Sequence, residues 1–215
     1  WWGPKILEYY SATEGIAYST ISSEEWLKKP GSVGKDFWIG KPHVVNDDGQ
    51  EVGPNETGVL YFENEEQTFH YHNDEEKTRG TFHPEHPTWA TVGDVGYLDE
   101  DGYLFLTDRQ TFMIISGGVN IYPQEVENVL TMHPKVADVA VIGVPHAEMG
   151  EEVKAVVIPA PDATAGPELE AELIDYCKAN LAKFKVPRSV DFVDELPRSD
   201  TGKLMKKELQ AQYRQ

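Results

Sequence analysis

Three short stretches hold residue types suited to work on a charged small molecule. The first is Tyr10-Ser11-Ala12-Thr13-Glu14-Gly15. A hydroxyl beside a carboxylate, just after a strand-like run, can hold a phosphate oxygen and a hydrated Mg²⁺, which takes oxygen ligands. Taken alone, the stretch reads more simply as a helix cap or a turn. The second joins Val92-Gly93-Asp94 to Asp108-Arg109. An aspartate after a glycine can accept both hydroxyls of a ribose, and a nearby arginine adds donors for ribose or phosphate. Alone, this pair is a turn and a surface ion pair. The third is Leu196-Pro197-Arg198-Ser199-Asp200-Thr201-Gly202-Lys203-Leu204. A lysine after a Thr-Gly turn, on a short mobile loop, can bring a point charge to phosphate or carboxylate oxygens as they develop charge. Its plain alternative is a surface lysine. Gly202-Lys203 is not a P-loop, because the spaced upstream glycine and the following Ser or Thr are missing.

The elements that must position these residues fall into two styles. Lys5 to Tyr10 reads as a short buried strand, and residues 22–31 as a charged surface segment. From Ser32 to Thr107 short apolar runs such as Val44-Val45, Val59-Leu60-Tyr61-Phe62 and Tyr103-Leu104-Phe105-Leu106 alternate with turn formers. Asp47-Asp48-Gly49 and Asp99-Glu100-Asp101-Gly102 are hairpin turns. The expected result is a small, distorted antiparallel barrel or sandwich. After Asp108 the period changes. Pro123 to Leu130 places a proline in a first helical turn ahead of apolar residues at helical spacing. Val136–Val144 and Val153–Ile158 read as strands, Leu169, Leu173, Ile174, Cys177 and Leu181 as one helical face, and Ser189–Val193 as a strand. The order suits a small α+β domain with helices on one face of its sheet. The boundary near 108–111 holds little Gly or Pro and reads as a structured hinge.

Composition narrows the partners. The chain has 215 residues, is 40% hydrophobic and carries a formal net charge of −18. Nucleic acid and anionic membrane surfaces are poor partners for such a charge. The single cysteine, Cys177, excludes an internal disulfide framework, fits a reducing compartment, and lies on a helix's apolar stripe as a core residue. No stretch approaches the ~20 apolar residues of a membrane span, and Trp1-Trp2-Gly3-Pro4-Lys5 lacks a signal-peptide pattern. A cytoplasmic location is expected. The chain has no initiator Met, so it is read as a piece of a larger protein. His70, His72, His83 and His86 cluster in a loop-like insert; imidazole binds zinc, but their spacing matches no four-ligand pattern, which favours a solvated loop. The aromatics Phe69, Tyr71, Phe82 and Trp89 are expected to cover the barrel.

The three stretches come in a fixed order, with Ile115-Ser116-Gly117-Gly118-Val119-Asn120-Ile121-Tyr122-Pro123-Gln124-Glu125-Val126-Glu127 between the second and third. In this combination nearly the whole chain resembles the C-terminal part of the acyl-CoA synthetases. That branch of the adenylate-forming enzymes stands beside the luciferases and the adenylation domains of peptide synthetases. The resemblance implies an α+β fold: residues 1–107 as a barrel-like remnant of a larger adenylating domain, 108–111 as a hinge, and 112–215 as a small α+β lid. It also implies a two-step reaction. A small-molecule carboxylic acid, a fatty acid by preference, joins ATP to give acyl-adenylate and pyrophosphate, and CoA then displaces AMP. Carried over, Tyr10 would stack on adenine, Thr13 would contact the α-phosphate, Glu14 would bind Mg²⁺, and Asp94 and Arg109 would hold the ribose. Lys203 would bridge carboxylate and α-phosphate oxygens, and Ser116, Gly117 and Gly118 would line a pantetheine tunnel.

Several positions depart from the pattern. Thr111 stands where the family often has a charged hinge residue, Phe112 where close relatives often carry an acid, and Ser11 where Gly is commoner. The family's Ser/Thr/Gly-rich phosphate loop and most of the acyl pocket have no counterpart here, so the chain alone is expected to be inactive without the N-terminal part of the enzyme. Lys203, Lys206 and Lys207 can begin a basic terminal helix, with favourable charge in an acidic protein or support for CoA phosphates as its two readings. Two rival functions remain at this stage: an adenylation domain serving a carrier protein, against which Gly118 to Pro123 argues, and a non-catalytic module of the same fold.

Overall fold

β-Branched and aromatic runs in the first half of the chain pair locally, as alternating patterns bounded by turn residues should. The computed structural model describes residues 5–67 and 69–213; residues 1–4, where most of the signal-peptide reading falls, lie outside it. It divides the chain into two compact units, Trp1–Gln110 and Thr111–Gln215.

The first unit comprises β1 (Leu7–Ser11), β2 (Tyr18–Ser22), α1 (Ser23–Trp26), β3 (Asp36–Ile39), β4 (Lys41–Val45), β5 (Gly58–Glu63), α2 (Glu75–Thr81), β6 (Trp89–Ala90), β7 (Asp94–Leu98) and β8 (Leu104–Arg109). One sheet has the order β1-β2-β3; the other runs β4-β5-β7-β8, with β6 against β5. Both are open, so the β-rich unit is two antiparallel sheets with a shared core rather than a closed barrel. That core includes Tyr10, Ile16, Val44, Leu60, Phe62 and Leu104. The two hairpin turns close as their residue types dictate. Asn46 Oδ1 accepts from the N–H groups of Asp48 and Gln50, and Asp99 Oδ1 from those of Asp101 and Tyr103.

Two expectations for this unit are corrected. β1 is an edge strand and not a buried one: Tyr10 faces the core, while Leu7 and Tyr9 stay 60% and 65% exposed. A strand with one covered face buries only alternate residues. The histidine-rich insert is not a solvated loop throughout. Residues 75–81 form α2, capped by Asp74, whose side chain accepts the N–H of Lys77. His83 is buried with Nε2 3.2 Å from the Gly49 carbonyl, and His43 and His86 both stack on Trp89, at 3.7 and 4.0 Å. Among the described residues, no group of three or more His, Cys, Asp or Glu is placed to hold a metal ion. Phe69 and Phe82 do pack against the core.

The second unit comprises β9 (Ile114–Ser116), β10 (Val119–Ile121), α3 (Pro123–Thr131), β11 (Val136–His146), β12 (Gly150–Pro159), α4 (Pro167–Asn180), β13 (Ser189–Phe192) and α5 (Lys206–Tyr213). Its sheet runs β10-β9-β12-β11, and β13 joins β12 in parallel. β11 and β12 are near-continuous apolar runs, which mark strands covered on both faces. Val139, Val141, Val153, Ala155 and Val157 meet α3 and α4 through Val126, Leu130, Leu169, Leu173 and Cys177. The alternate residues Ala140, Ile142, Val144 and Val156 meet Leu196 and, on α5, Leu209. Helices therefore flank both faces, where one covered face was expected. Burial also pushes the Cys177 thiol up to about 11, as befits a core residue.

Gly117 and Gly118 form the two-residue turn between β9 and β10, with Ser116 paired to Val119. Both have positive φ, +58° and +79°, the requirement of a type I′ hairpin. A Cβ on Gly117 would lie 2.4 Å from Met149 Cε. These glycines are thus needed by the backbone itself, independently of any ligand.

If α5 seals the second face of this sheet, Leu209→Ala should lower the stability of the second unit by about 2–4 kcal/mol in urea unfolding. A loss within about 0.5 kcal/mol, the figure for an exposed site, would show that α5 is not docked.

Candidate active site

β1 ends at Ser11, and residues 12–17 turn the chain back into β2; the Ala12 N–H reaches the Ala17 carbonyl, and the Gly15 N–H that of Ala12. The strand aims Tyr10 inward and the turn lifts Thr13 and Glu14 to its tip. The Tyr10 ring packs on Phe62, with centroids 5.8 Å apart. Its hydroxyl donates to Asp94 Oδ2 at 2.8 Å. Asp94 opens β7 and lies opposite Arg109 in β8, so the register itself brings them together. Arg109 Nε donates to Asp94 Oδ1 at 3.1 Å. Asp94 is only 9% exposed, and each of its oxygens has a donor. Burial, then the Asp94 charge and the hydrogen bond to it, push the Tyr10 phenol well above its ordinary value. It stays neutral and donates.

At the turn, the Glu14 carboxylate is held on both oxygens. Thr13 Oγ1 donates to Oε2 and the Tyr71 hydroxyl to Oε1, each at 2.9 Å. Partial burial would raise the Glu14 pKa. The Tyr71 and Thr13 hydroxyls, its own backbone N–H and the charge of Lys77 outweigh that and hold it below the usual carboxylate range. Lys77 lies 3.7 Å from the centre of the Tyr71 ring. An ionised carboxylate fixed by hydroxyls, with a second lone pair on each oxygen, fits Mg²⁺. That cation favours one or two carboxylates together with substrate phosphates and water.

The second unit carries the other candidates in two separate places. Ser116 and Gly117, at the β9–β10 turn, line a cleft of about 1080 Å³ with Val119, Met149 and Ile174. Lys178, Lys183 and Arg188 also border it. Lys203 is not among the cleft residues. Its loop, expected to be mobile, is instead closed by a bridge between Arg198 and Leu204. The Ser199 N–H donates to the Lys203 carbonyl, the Lys203 N–H to Ser199 Oγ, and Arg198 to both the Gly202 carbonyl and Asp138. Lys206 does not extend a basic surface toward CoA phosphates. It is buried and paired with Glu127 at 2.7 Å. Its Nζ also sits 5.4 Å from the centre of the Phe112 ring, so Phe112 offers an aromatic face to this cation.

Sequence reasoning missed Tyr71 as the second donor to Glu14, because 57 residues separate them and only the fold of the insert joins them. It also missed the cleft cations. Lys183 and Arg188 flank the Phe184-Lys185-Val186-Pro187 stretch, whose alternation of basic and apolar residues was the available signal.

Residues 125–203 match the family model described as the AMP-binding enzyme C-terminal domain. The 2-succinylbenzoate–CoA ligase of Bacillus cereus is 37% identical over 208 residues, covering 96% of this chain and 41% of the relative. The long-chain-fatty-acid–CoA ligase FadD13 of Mycobacterium tuberculosis is 36% identical over 210 residues, covering 97% and 40%. Among solved structures, ATP-bound MatB from Rhodopseudomonas palustris matches with a TM-score of 0.85 at 34% identity, over 98% of this chain and 41% of that one. The o-succinylbenzoate CoA synthetase of Bacillus subtilis, bound to its acyl-adenylate, gives 0.82 at 36% identity, over 96% and 41%. Residues 125–203, within the second unit, therefore carry the AMP-binding enzyme C-terminal domain, and nearly the whole chain is similar to part of proteins named as CoA ligases. It spans about two fifths of the length of the curated relatives it matches.

Removing the phenol hydroxyl leaves Asp94 buried with one donor fewer. Tyr10→Phe should therefore cost about 1–3 kcal/mol near pH 7 by urea unfolding. Because the folded phenol pKa is raised above its ordinary 10.0, this contribution is complete below pH 10 and is lost as pH climbs beyond it. The gap between wild type and variant should hold from pH 7 to 9 and narrow above 10. A gap that stays constant as pH rises above 10 would refute the assignment.

Proposed function

We propose that this chain is the C-terminal portion of an AMP-forming acid–thiol ligase. The intact enzyme would join a carboxylic acid to ATP, releasing pyrophosphate, and then pass the acyl group to CoA, releasing AMP. The observation that carries this reading is Asp94, a carboxylate fixed from opposite sides by Tyr10 and Arg109. A pre-oriented acceptor pair of that kind suits a ribose diol, with one lone pair on each oxygen left to accept a hydroxyl. Tyr10 lies against the base, Arg109 borders the ribose, and Thr13 contacts the α-phosphate. Glu14 supplies the ligand for Mg²⁺, whose charge would offset that of the phosphates.

In the first step two anions, carboxylate and triphosphate, must approach. A cation placed between them offsets a repulsion that is large in a water-poor site. Lys203 fills that role, with its ammonium bridging the acid's carboxylate and the α-phosphate. A pivot within 108–111 lets the second unit present Lys203 for the first step and the Ser116-Gly117-Gly118 turn for the second. The cleft beside that turn supports CoA as acceptor. In a chain of net charge −18, three cations border one apolar cleft, which suits a slender thiol arm joined to a phosphorylated nucleotide. A fatty acid is the acid proposed, on the likeness to the long-chain-fatty-acid ligase; 2-succinylbenzoate, named for an equally similar relative, is the aryl competitor.

Lys203→Ala in the intact enzyme should cut ATP–pyrophosphate exchange about 10²–10³-fold, the scale of losing one positioned charge stabiliser. Thioester formation from supplied acyl-adenylate should fall far less; equal losses in both half-reactions would sink the two-face mechanism. The 215-residue chain by itself should show no exchange above background, and turnover comparable with an intact ligase would refute its reading as a portion.

A further inference from the structure

The turn that carries Lys203 has two legs, and both are tied to the same strand. On the leading leg, Arg198 donates to Asp138, a residue of β11. On the trailing leg, Lys206 begins α5 and pairs with Glu127 of α3 at 2.7 Å. The same Glu127 oxygen accepts the backbone N–H of Val141, also in β11, at 2.7 Å. Lys206 and Glu127 have side chains only 7% and 8% exposed. The Lys206 ammonium further faces Phe112, in the 3₁₀ turn Gln110–Phe112 beside the pivot proposed above.

A buried ion pair is a poor way to gain stability, since apolar residues of similar volume often serve better. What it adds is direction. Leu209 and Leu196 hold α5 on the sheet through contacts that tolerate sliding and rotation. A charge pair hydrogen-bonded to a strand amide does not tolerate either. Its loss would let the helix start drift while the core stayed closed, and Lys203 lies three residues ahead of that start.

We propose that Lys206, acting with Glu127, is a positioning residue for Lys203: the buried pair fixes the trailing leg of the turn, so that the Lys203 ammonium arrives at one defined place when the unit swings. The proposal rests on the reading of Lys203 as the adenylation cation. Neither Lys206 nor Glu127 touches substrate in this account. Both act through Lys203.

The test uses the intact enzyme and two half-reactions, ATP–pyrophosphate exchange and thioester formation from supplied acyl-adenylate. Lys206→Met alone would strip the buried Glu127 charge of its cation and could unfold the unit. The informative variant is therefore the double replacement Lys206→Met with Glu127→Gln, which removes both charges, keeps the volume and leaves an amide oxygen to accept the Val141 N–H. It should unfold cooperatively, yet lose about 10- to 100-fold in the rate constant of exchange, the scale of an ångström-sized misplacement. KM for ATP and for the acid, and the thioester half-reaction, should stay within about twofold. Lys206→Arg, which can restore the pair, should recover most of the exchange rate. In a Lys203→Ala background the double replacement should cost no further exchange activity. Equal loss in both half-reactions, or a full additional loss on top of Lys203→Ala, would overturn the positioning role while the assignment of Lys203 stood. If Lys203→Ala itself left exchange intact, that assignment would fall, and this proposal with it.

Discussion

A carboxylate withdrawn from water has to be met by donors, and each unit of this chain is arranged round one that is. In the first unit Asp94 takes the Tyr10 hydroxyl on one oxygen and Arg109 on the other. In the second, Glu127 takes Lys206 and a strand amide on one oxygen. An unpaired buried charge costs several kcal/mol, so geometry near these carboxylates has little freedom. Each one also joins elements that local pairing leaves apart. Asp94 draws Tyr10 of β1 to the β7–β8 hairpin, and so links the two sheets of the first unit. Glu127 draws α5 to α3 and β11 across the plane of the second unit's sheet. The ionic contacts thus fix what the apolar cores only hold close.

The division of labour between core and charge suits the ligase portion proposed above, whose chemistry demands defined geometry. Hydrophobic packing supplies most of the free energy but is not directional. The residues with proposed chemistry sit at ends and turns: Thr13 and Glu14 in the turn after β1, Asp94 at the start of β7, Ser116 to Gly118 between β9 and β10, Lys203 in a closed loop. Local bonds hold some of them, as Ser199 does the Lys203 backbone, and remote donors hold others, as Tyr10 and Arg109 do Asp94 and Tyr71 does Glu14. In a chain of net charge −18, the grouping of Lys178, Lys183 and Arg188 round one cleft makes a local exception to the overall sign.

Much of this was legible in the residues. The long strands of the second unit announced themselves through Val136–Val144 and Val153–Ile158, and the two amphipathic helices through Pro123 and the Leu169–Leu173–Cys177 stripe, because period and punctuation are local signals. What escaped was non-local. Tyr71 meets Glu14 only after the insert folds back. Lys206 looked like surface charge, since nothing nearby in sequence shows that Glu127 waits for it 79 residues earlier. The second covered face of the β11–β12 sheet was also hidden, although Ala140, Ile142 and Val144 alternate with Val139 and Val141. A strand buried on both faces shows no polar alternation to betray its orientation. The resemblance gives Gly117 and Gly118 only as lining for a pantetheine tunnel, whereas their first duty is the β9–β10 hairpin.

The exposed side of β1 has a consequence for handling the polypeptide. Leu7 and Tyr9, with Trp38 of β3, leave a band of apolar and aromatic surface beside an open strand edge. Such a band invites self-association, and the like charge of every copy opposes it. Added salt shortens the reach of that repulsion to a few ångströms and leaves the attraction untouched. The isolated chain should thus be colloidally quietest in dilute buffer and stickiest in brine.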